Sequence, residues 1–224
     1  MKSIRQAKIK EKIVLLRVDF NVTLDVYGKI IDDIKIKSTL PTIRYLIRQK
    51  VKRIIIISHM GRPIVQKGAN INYIIQGNQG LVLAPAVHNL AKNLKIGHSK
   101  IKAEFTDNFF LPFYKLKNNI WVMENVRFDW REEANDKEFS HQMAKLGDIY
   151  VDDAFGNAHR RHASMVGITN SLPSYAGLLF EKEVKTLEKI LKKPPKPFIL
   201  ILGGAKVSEK IKILKKLVRK ADKI

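Results

Sequence analysis

The sequence predicts an α/β fold, a parallel sheet with helices on both faces, from three observations. Short β-branched apolar runs recur along the chain, stretches with helical spacing separate them, and polar or charged residues stand directly after several of the runs. A run that is apolar at every position reads as a strand covered on both faces, not as a half-exposed one. Strands of this kind alternating with helices imply βαβ units and right-handed crossovers.

In chain order, the first strand is expected near 12–18 (KIVLLRV), followed by a helix over 37–50 (KSTLPTIRYLIRQK) and a second strand near 53–58 (RIIIIS). A helix over 83–95 (LAPAVHNLAKNLK) and a strand near 119–124 (NIWVME) come next. The stretch NDKEFSHQMAKLG predicts a helix with Asn135 as N-cap and Gly147 at its end, before a strand near 148–153 (DIYVDD). Together these make a Rossmann-like sheet. The amphipathic LLFEKEVKTLEKILKK is a further helix, and PPKP at 194–197 cannot continue it. FILILGG, 198–204, then begins a new strand, with one more helical stretch, VSEKIKILKKLVRKAD, behind it. One strand and one helix cannot bury a core. Residues 198–224 therefore read as the opening βα unit of a second α/β domain whose remainder is missing. The expected division is a ligand-binding domain over 1–172, a helix and Pro-rich linker over 173–197, and the start of the second domain over 198–224.

The 224 residues are 45% hydrophobic and 28% charged, which suits a folded core and excludes a disordered chain. Cysteine is absent, so disulfide frameworks and thiolate metal sites are excluded and a cytoplasmic enzyme is the default. No apolar run approaches a membrane span, and the N-terminus has no signal-like core. With 42 Lys and Arg against 21 Asp and Glu, the net charge is +21, which would attract nucleic acid, anionic lipid or phosphorylated metabolites. The lysines are scattered through nearly every helix and loop, whereas a nucleic-acid binder concentrates them on one face. A drift of composition toward Lys, Ile and Asn explains the charge at least as well, so a soluble monomer without a membrane partner is expected, with a basic nucleic-acid-binding protein as the less favoured alternative.

Chemistry gathers at the strand ends. In IIIISHMGRP, 54–63, an apolar run gives way to Ser58, His59 and Arg62, with Gly61 free to turn and Pro63 stopping the strand. The stretch reads either as an anion site at a strand end or as a solvated turn. RVDFNV places Arg17, Asp19 and Asn21 two apart, hence on one side of an extended segment, although Asp19 and Asn21 also fit a simple Asx turn. MENVRFDWREE puts Arg127 past a strand, for a ligand or for an ion pair with Glu132 or Glu133. VDDAFGNAHRRHAS carries His159, Arg160, Arg161 and His162 after another. Arginines at successive strand ends converge on one crevice in an open α/β sheet, and the implied ligand is a small acid bearing phosphate. His159 and His162 lack the carboxylates and spacing of a metal site, and no GxSxG elbow is present. LGGAKVSEKIK sets Gly203 and Gly204 between a strand and a helix, with Lys206 and Lys210 adding charge: a phosphate geometry that is neither a P-loop nor GxGxxG.

Taken together, RVDFNV, SHMGRP, LAPAVHNLAKNL, MENVRF, GDIYVDDAFGNAHRRHASMVG, LPSYAGLLFEKEV and GGAKVSEKI resemble the phosphoglycerate kinase family, in order and spacing, over nearly the whole chain. The resemblance implies reversible phosphoryl transfer between 1,3-bisphosphoglycerate and ADP, giving 3-phosphoglycerate and ATP with Mg²⁺, by closure of two domains. It implies that Arg17, Asp19, Asn21, His59, Arg62, Arg127 and Arg160 hold 3-phosphoglycerate, with Phe20, Met60 and Gly61 beside them. Lys206 and Lys210, with Gly203 and Gly204, match the nucleotide side. Where the family has DDTRI this chain has DDIKI, so Lys35 stands at the position of an arginine tied to the transferring phosphoryl group. Lysine keeps the charge but loses the planar fork. The family's later nucleotide-binding segments are not in these 224 residues, so an incomplete nucleotide site is expected, in a kinase chain that is inactive alone or in a binding-only remnant for 3-phosphoglycerate.

Overall fold

The computed structural model describes residues 1–97, 101–106, 109–201 and 217–224. The chain divides into two compact units, Met1–Phe180 and Glu181–Ile224.

The first unit is built on one sheet. Its elements are β1 (Ile13–Arg17), α1 (Ile34–Arg48), β2 (Arg53–Ile57), α2 (Ile71–Gly77), α3 (Ala84–Asn93), β3 (Ala103–Thr106), β4 (Phe109–Leu116), β5 (Ile120–Met123), α4 (Trp130–Glu133), α5 (Lys137–Ala144), β6 (Ile149–Asp152) and β7 (Ser174–Ala176). A further helix, α6 (Leu178–Lys192), starts in this unit and runs into the second. The strand order is β3-β4-β5-β2-β1-β6-β7. The five strands from β5 to β7 are parallel, as expected, and β4 adds an antiparallel edge by pairing with both β3 and β5.

Alternate residues of the parallel strands feed two cores. Val14, Leu16, Ile54, Ile56, Val122 and Val151 pack with α1 and α3, whereas Leu15, Ile55, Ile57 and Tyr150 pack with Phe139 and Met143 of α5. Burial on both faces is why these strands read as unbroken apolar runs.

Two sequence expectations change in detail, and one antiparallel pair is added. Asp136, not Asn135, caps α5, its carboxylate accepting the Phe139 N–H at 2.8 Å, while Asn135 takes a left-handed φ of 52° just past α4. Gly147 is not a left-handed cap; a Cβ there would lie 2.7 Å from the Leu15 side chain, so the glycine lets the loop press against β1. No strand is expected from the sequence between 95 and 119, where the structure has the antiparallel pair β3–β4; Pro112, a residue that strands seldom carry, stands in β4. It falls where the β3 register shifts, between the pairs Glu104–Phe113 and Thr106–Phe109, so little pairing is forfeited.

In the second unit, the described part of the expected strand at 198–204 makes one parallel bridge, Ile199 with Lys223, and Asp222 pairs with Lys196 while accepting the Phe198 N–H at 2.6 Å. The rest of that strand, and the helix before Leu217, lie outside the described residues, as do Gly203, Gly204, Lys206 and Lys210. Among the described residues no helix is long and apolar enough to cross a membrane.

Candidate functional site

Parallel pairing brings the carboxyl ends of β5, β2, β1 and β6 to one edge, with Arg17 level with Ile57 on one side and Asp152 on the other. The loops that follow them make the site. Ser58 ties two of them together: its hydroxyl donates to Val18 O at 3.0 Å and accepts the Phe20 N–H at 2.9 Å. Asn21 Oδ1 accepts the Gly61 N–H at 2.8 Å, and Arg127 Nη1 donates to Gly61 O at 2.6 Å. Asn125 fixes the third loop, donating to Met60 O at 2.7 Å and Leu81 O at 2.9 Å while accepting the Arg127 N–H. Gly61 has a φ of 57°, a left-handed backbone that favours glycine, and a Cβ there would lie 2.5 Å from a Leu81 methyl and push that side chain aside.

His59 stands at the centre and is 1% exposed. Burial, and then the positive charges of Arg17, Arg127, Arg160 and Lys35, push its imidazole down to about 2. A ring so surrounded stays neutral, and the surplus charge around it is an attractor for an anion. Arg127 and Arg160 each have a buried Nε–H without an acceptor among the described residues. Glu133 Oε1 lies 3.1 Å from Arg127 Nε, the ion pair considered from sequence, but off the line of the N–H. Unmet buried donors carry a cost to the folded chain.

Lys35 reaches the same edge from the first turn of α1, with Nζ 3.0 Å from Asp19 Oδ2 and donating to Asn21 O at 2.9 Å. The Asx turn is present too, since Asp19 Oδ1 accepts the Asn21 N–H at 3.0 Å; turn and site share the same residues. Arg62 is exposed, and among the described residues its side chain makes no hydrogen bond or ion pair. The side chains of Phe20 and Met60 belong to the core, so only their backbones border the crevice.

Sequence reasoning missed the buried support. Ser164 and Glu132 are both 0% exposed and hold Arg17 from behind: Arg17 Nε donates to Ser164 Oγ at 2.9 Å, and Ser164 Oγ donates to Glu132 Oε1 at 2.6 Å. Their partners lie far away in the chain, and no local pattern announces them. His162 approaches Glu132 at 3.7 Å. An apolar cavity of about 480 Å³, walled by Ile74, Phe110, Phe128 and Trp130, shares no residue with this cradle.

The model of the family described as phosphoglycerate kinase matches residues 4–224. The chain belongs to the phosphoglycerate kinase family. Curated phosphoglycerate kinases from Coprothermobacter proteolyticus and Thermomicrobium roseum are each 42% identical to it over 223 residues, covering 99% of this chain and 54% of the relative. The solved phosphoglycerate kinase from Coxiella burnetii has a TM-score of 0.76 at 35% identity, over 98% of this chain and 52% of that one. That from Pyrococcus horikoshii has the same TM-score at 29% identity, over 99% and 54%. The chain thus spans about half the length of the phosphoglycerate kinases it matches.

Proposed function

We propose that the strand-end cradle binds 3-phosphoglycerate, and that the chain serves phosphoryl transfer between 1,3-bisphosphoglycerate and ADP, giving 3-phosphoglycerate and ATP. The observation that carries the reading is the neutral, buried His59 ringed by Arg17, Arg127, Arg160 and Lys35, with the Nε–H groups of Arg127 and Arg160 lacking acceptors among the described residues. Such a site neutralises a phosphate and a carboxylate by fixed donors, and phosphoryl transfer asks for positioning and charge compensation more than for a covalent group from the protein.

In this reading Arg17, Arg127 and Arg160 hold the acid, and exposed Arg62 closes over its phosphate. Asn21 keeps Gly61 in place, and Lys35 releases Asp19 to face the transferring group. ADP or ATP with Mg²⁺ is the second substrate. Gly203, Gly204, Lys206 and Lys210 are proposed for its phosphates on sequence grounds alone. The proposed domain limits remain 1–172, 173–197 and 198–224, in a cytoplasmic monomer that does not bind nucleic acid.

Calorimetric titration of 3-phosphoglycerate into the 224-residue chain at physiological salt tests the reading. One-to-one binding is expected, weakened roughly 10- to 100-fold by Arg62→Ala, the scale of a lost charged hydrogen bond. Because Arg62 is exposed, its thermal midpoint should match the unsubstituted chain. Absence of heat from a folded chain overturns the proposal, as does affinity for DNA that falls steeply with salt while the acid does not bind.

A further inference from the structure

We infer that Glu132 and Ser164 are positioning residues of the cradle, holding Arg17 so that the neutral His59 ring carries its proton on Nε2 and offers that N–H to the ligand. The inference rests on the acid-site reading and adds to it two residues and the place of one proton.

Donor chemistry assigns each proton in turn. Burial is the largest influence on Glu132 and pushes its carboxyl up, but His162, Arg17 and Ser164 together outweigh it and leave the group below its ordinary range. Glu132 is therefore an anion that can only accept. It accepts the Ser164 N–H on Oε2 at 2.8 Å and the Ser164 hydroxyl on Oε1 at 2.6 Å. With its one proton directed to Glu132, the Ser164 oxygen is left to accept Arg17 Nε–H at 2.9 Å. The fork is steadied further by Arg17 Nη1 donating to Val18 O.

The last link is Arg17 Nη2, 3.3 Å from His59 Nδ1. A guanidinium has donors and no acceptor, so Nδ1 must be the bare nitrogen. A neutral imidazole bare at Nδ1 carries its hydrogen on Nε2, and among the described residues nothing accepts it. The main chain of Glu132 serves the same end: its carbonyl accepts the Ala163 N–H at 2.9 Å, pinning the loop that brings Arg160. One buried residue, by its carboxylate and its main-chain carbonyl, thus fixes two walls of the cradle and, through Arg17, the tautomer of the ring between them.

Two-bond proton–nitrogen spectra of the ¹⁵N-labelled 224-residue chain at neutral pH, without ligand, read the tautomer, with His59→Gln assigning the ring. A protonated Nε2 and a bare Nδ1 are expected. Ser164→Ala should shift the ring toward Nδ1–H and weaken 3-phosphoglycerate roughly tenfold while leaving the circular dichroism unchanged. An Nδ1–H ring in the unsubstituted chain overturns the inference, and so does an unchanged tautomer in folded Ser164→Ala. Should Ser164→Ala fail to fold, the spectrum of the unsubstituted chain decides alone. A tautomer that follows Ser164 in a chain with no affinity for the acid upholds the donor chain and overturns the functional reading instead.

Discussion

His59 is buried among cationic groups, and that environment sets a sign that can be measured. Its folded pKa, about 2, lies below the ordinary 6.5, so the unfolded chain binds the extra proton between those values. Stability is complete above pH 6.5 and falls as pH drops through that window, by about 1.4 kcal/mol per pH unit from this group. Denaturant titrations at pH 7 and pH 5 should therefore show His59→Gln losing less stability than the unsubstituted chain; equal losses would contradict the neutral buried ring. The sequence displayed His59, Arg17, Arg127, Arg160 and Lys35 because each follows a strand or opens a helix. It could not display Ser164, 147 positions from Arg17, or that Glu132 turns inward while its neighbour Glu133 turns to solvent.

At the scale of elements, the join between β6 and α6 carries the opposite pH signature. Asp153 Oδ1 accepts the Leu179 N–H at 2.9 Å and the Phe180 N–H at 3.2 Å, capping α6, and Thr42 binds the same carboxylate. Gly177 is required there, since a Cβ would lie 2.1 Å from Asp153 Oδ1. Burial raises the Asp153 carboxyl to about 6 from 3.8, against the pull of these bonds, and its Oδ2 is buried without a partner among the described residues. Here the folded state holds the extra proton, so this contribution is full below pH 3.8 and is lost as pH rises through 6. Asp153→Asn should remove it: between pH 5 and pH 7 the unsubstituted chain should lose about 1 kcal/mol more than the variant in chemical denaturation. Helices α1, α3 and α6 were legible from their spacing. The pair β3–β4 was not read from the sequence, where Pro112 interrupts the longer strand, and β7 has only three residues after Pro173.

For the whole molecule, a ligand that binds only the folded state adds RT ln(1 + [L]/Kd), about 2.7 kcal/mol at one hundred times Kd. The thermal midpoint should climb with 3-phosphoglycerate concentration and, in Arg62→Ala, follow the same curve displaced to higher concentration; a flat response in the unsubstituted chain would count against the cradle. By itself the sequence determined the α/β class, the parallel order of helix and strand, the strand ends that carry chemistry, and the family, because each is written in local periodicity or in short motifs. Only the tertiary structure decided which way those side chains face and what supports them. Sheet pairing set Arg17 beside both Ile57 and Asp152, put Phe20 and Met60 in the core, and placed Glu132 behind Ser164. Burial, proton position and unmet donors arise from groups far apart in the chain brought into contact away from water, and no local pattern records that.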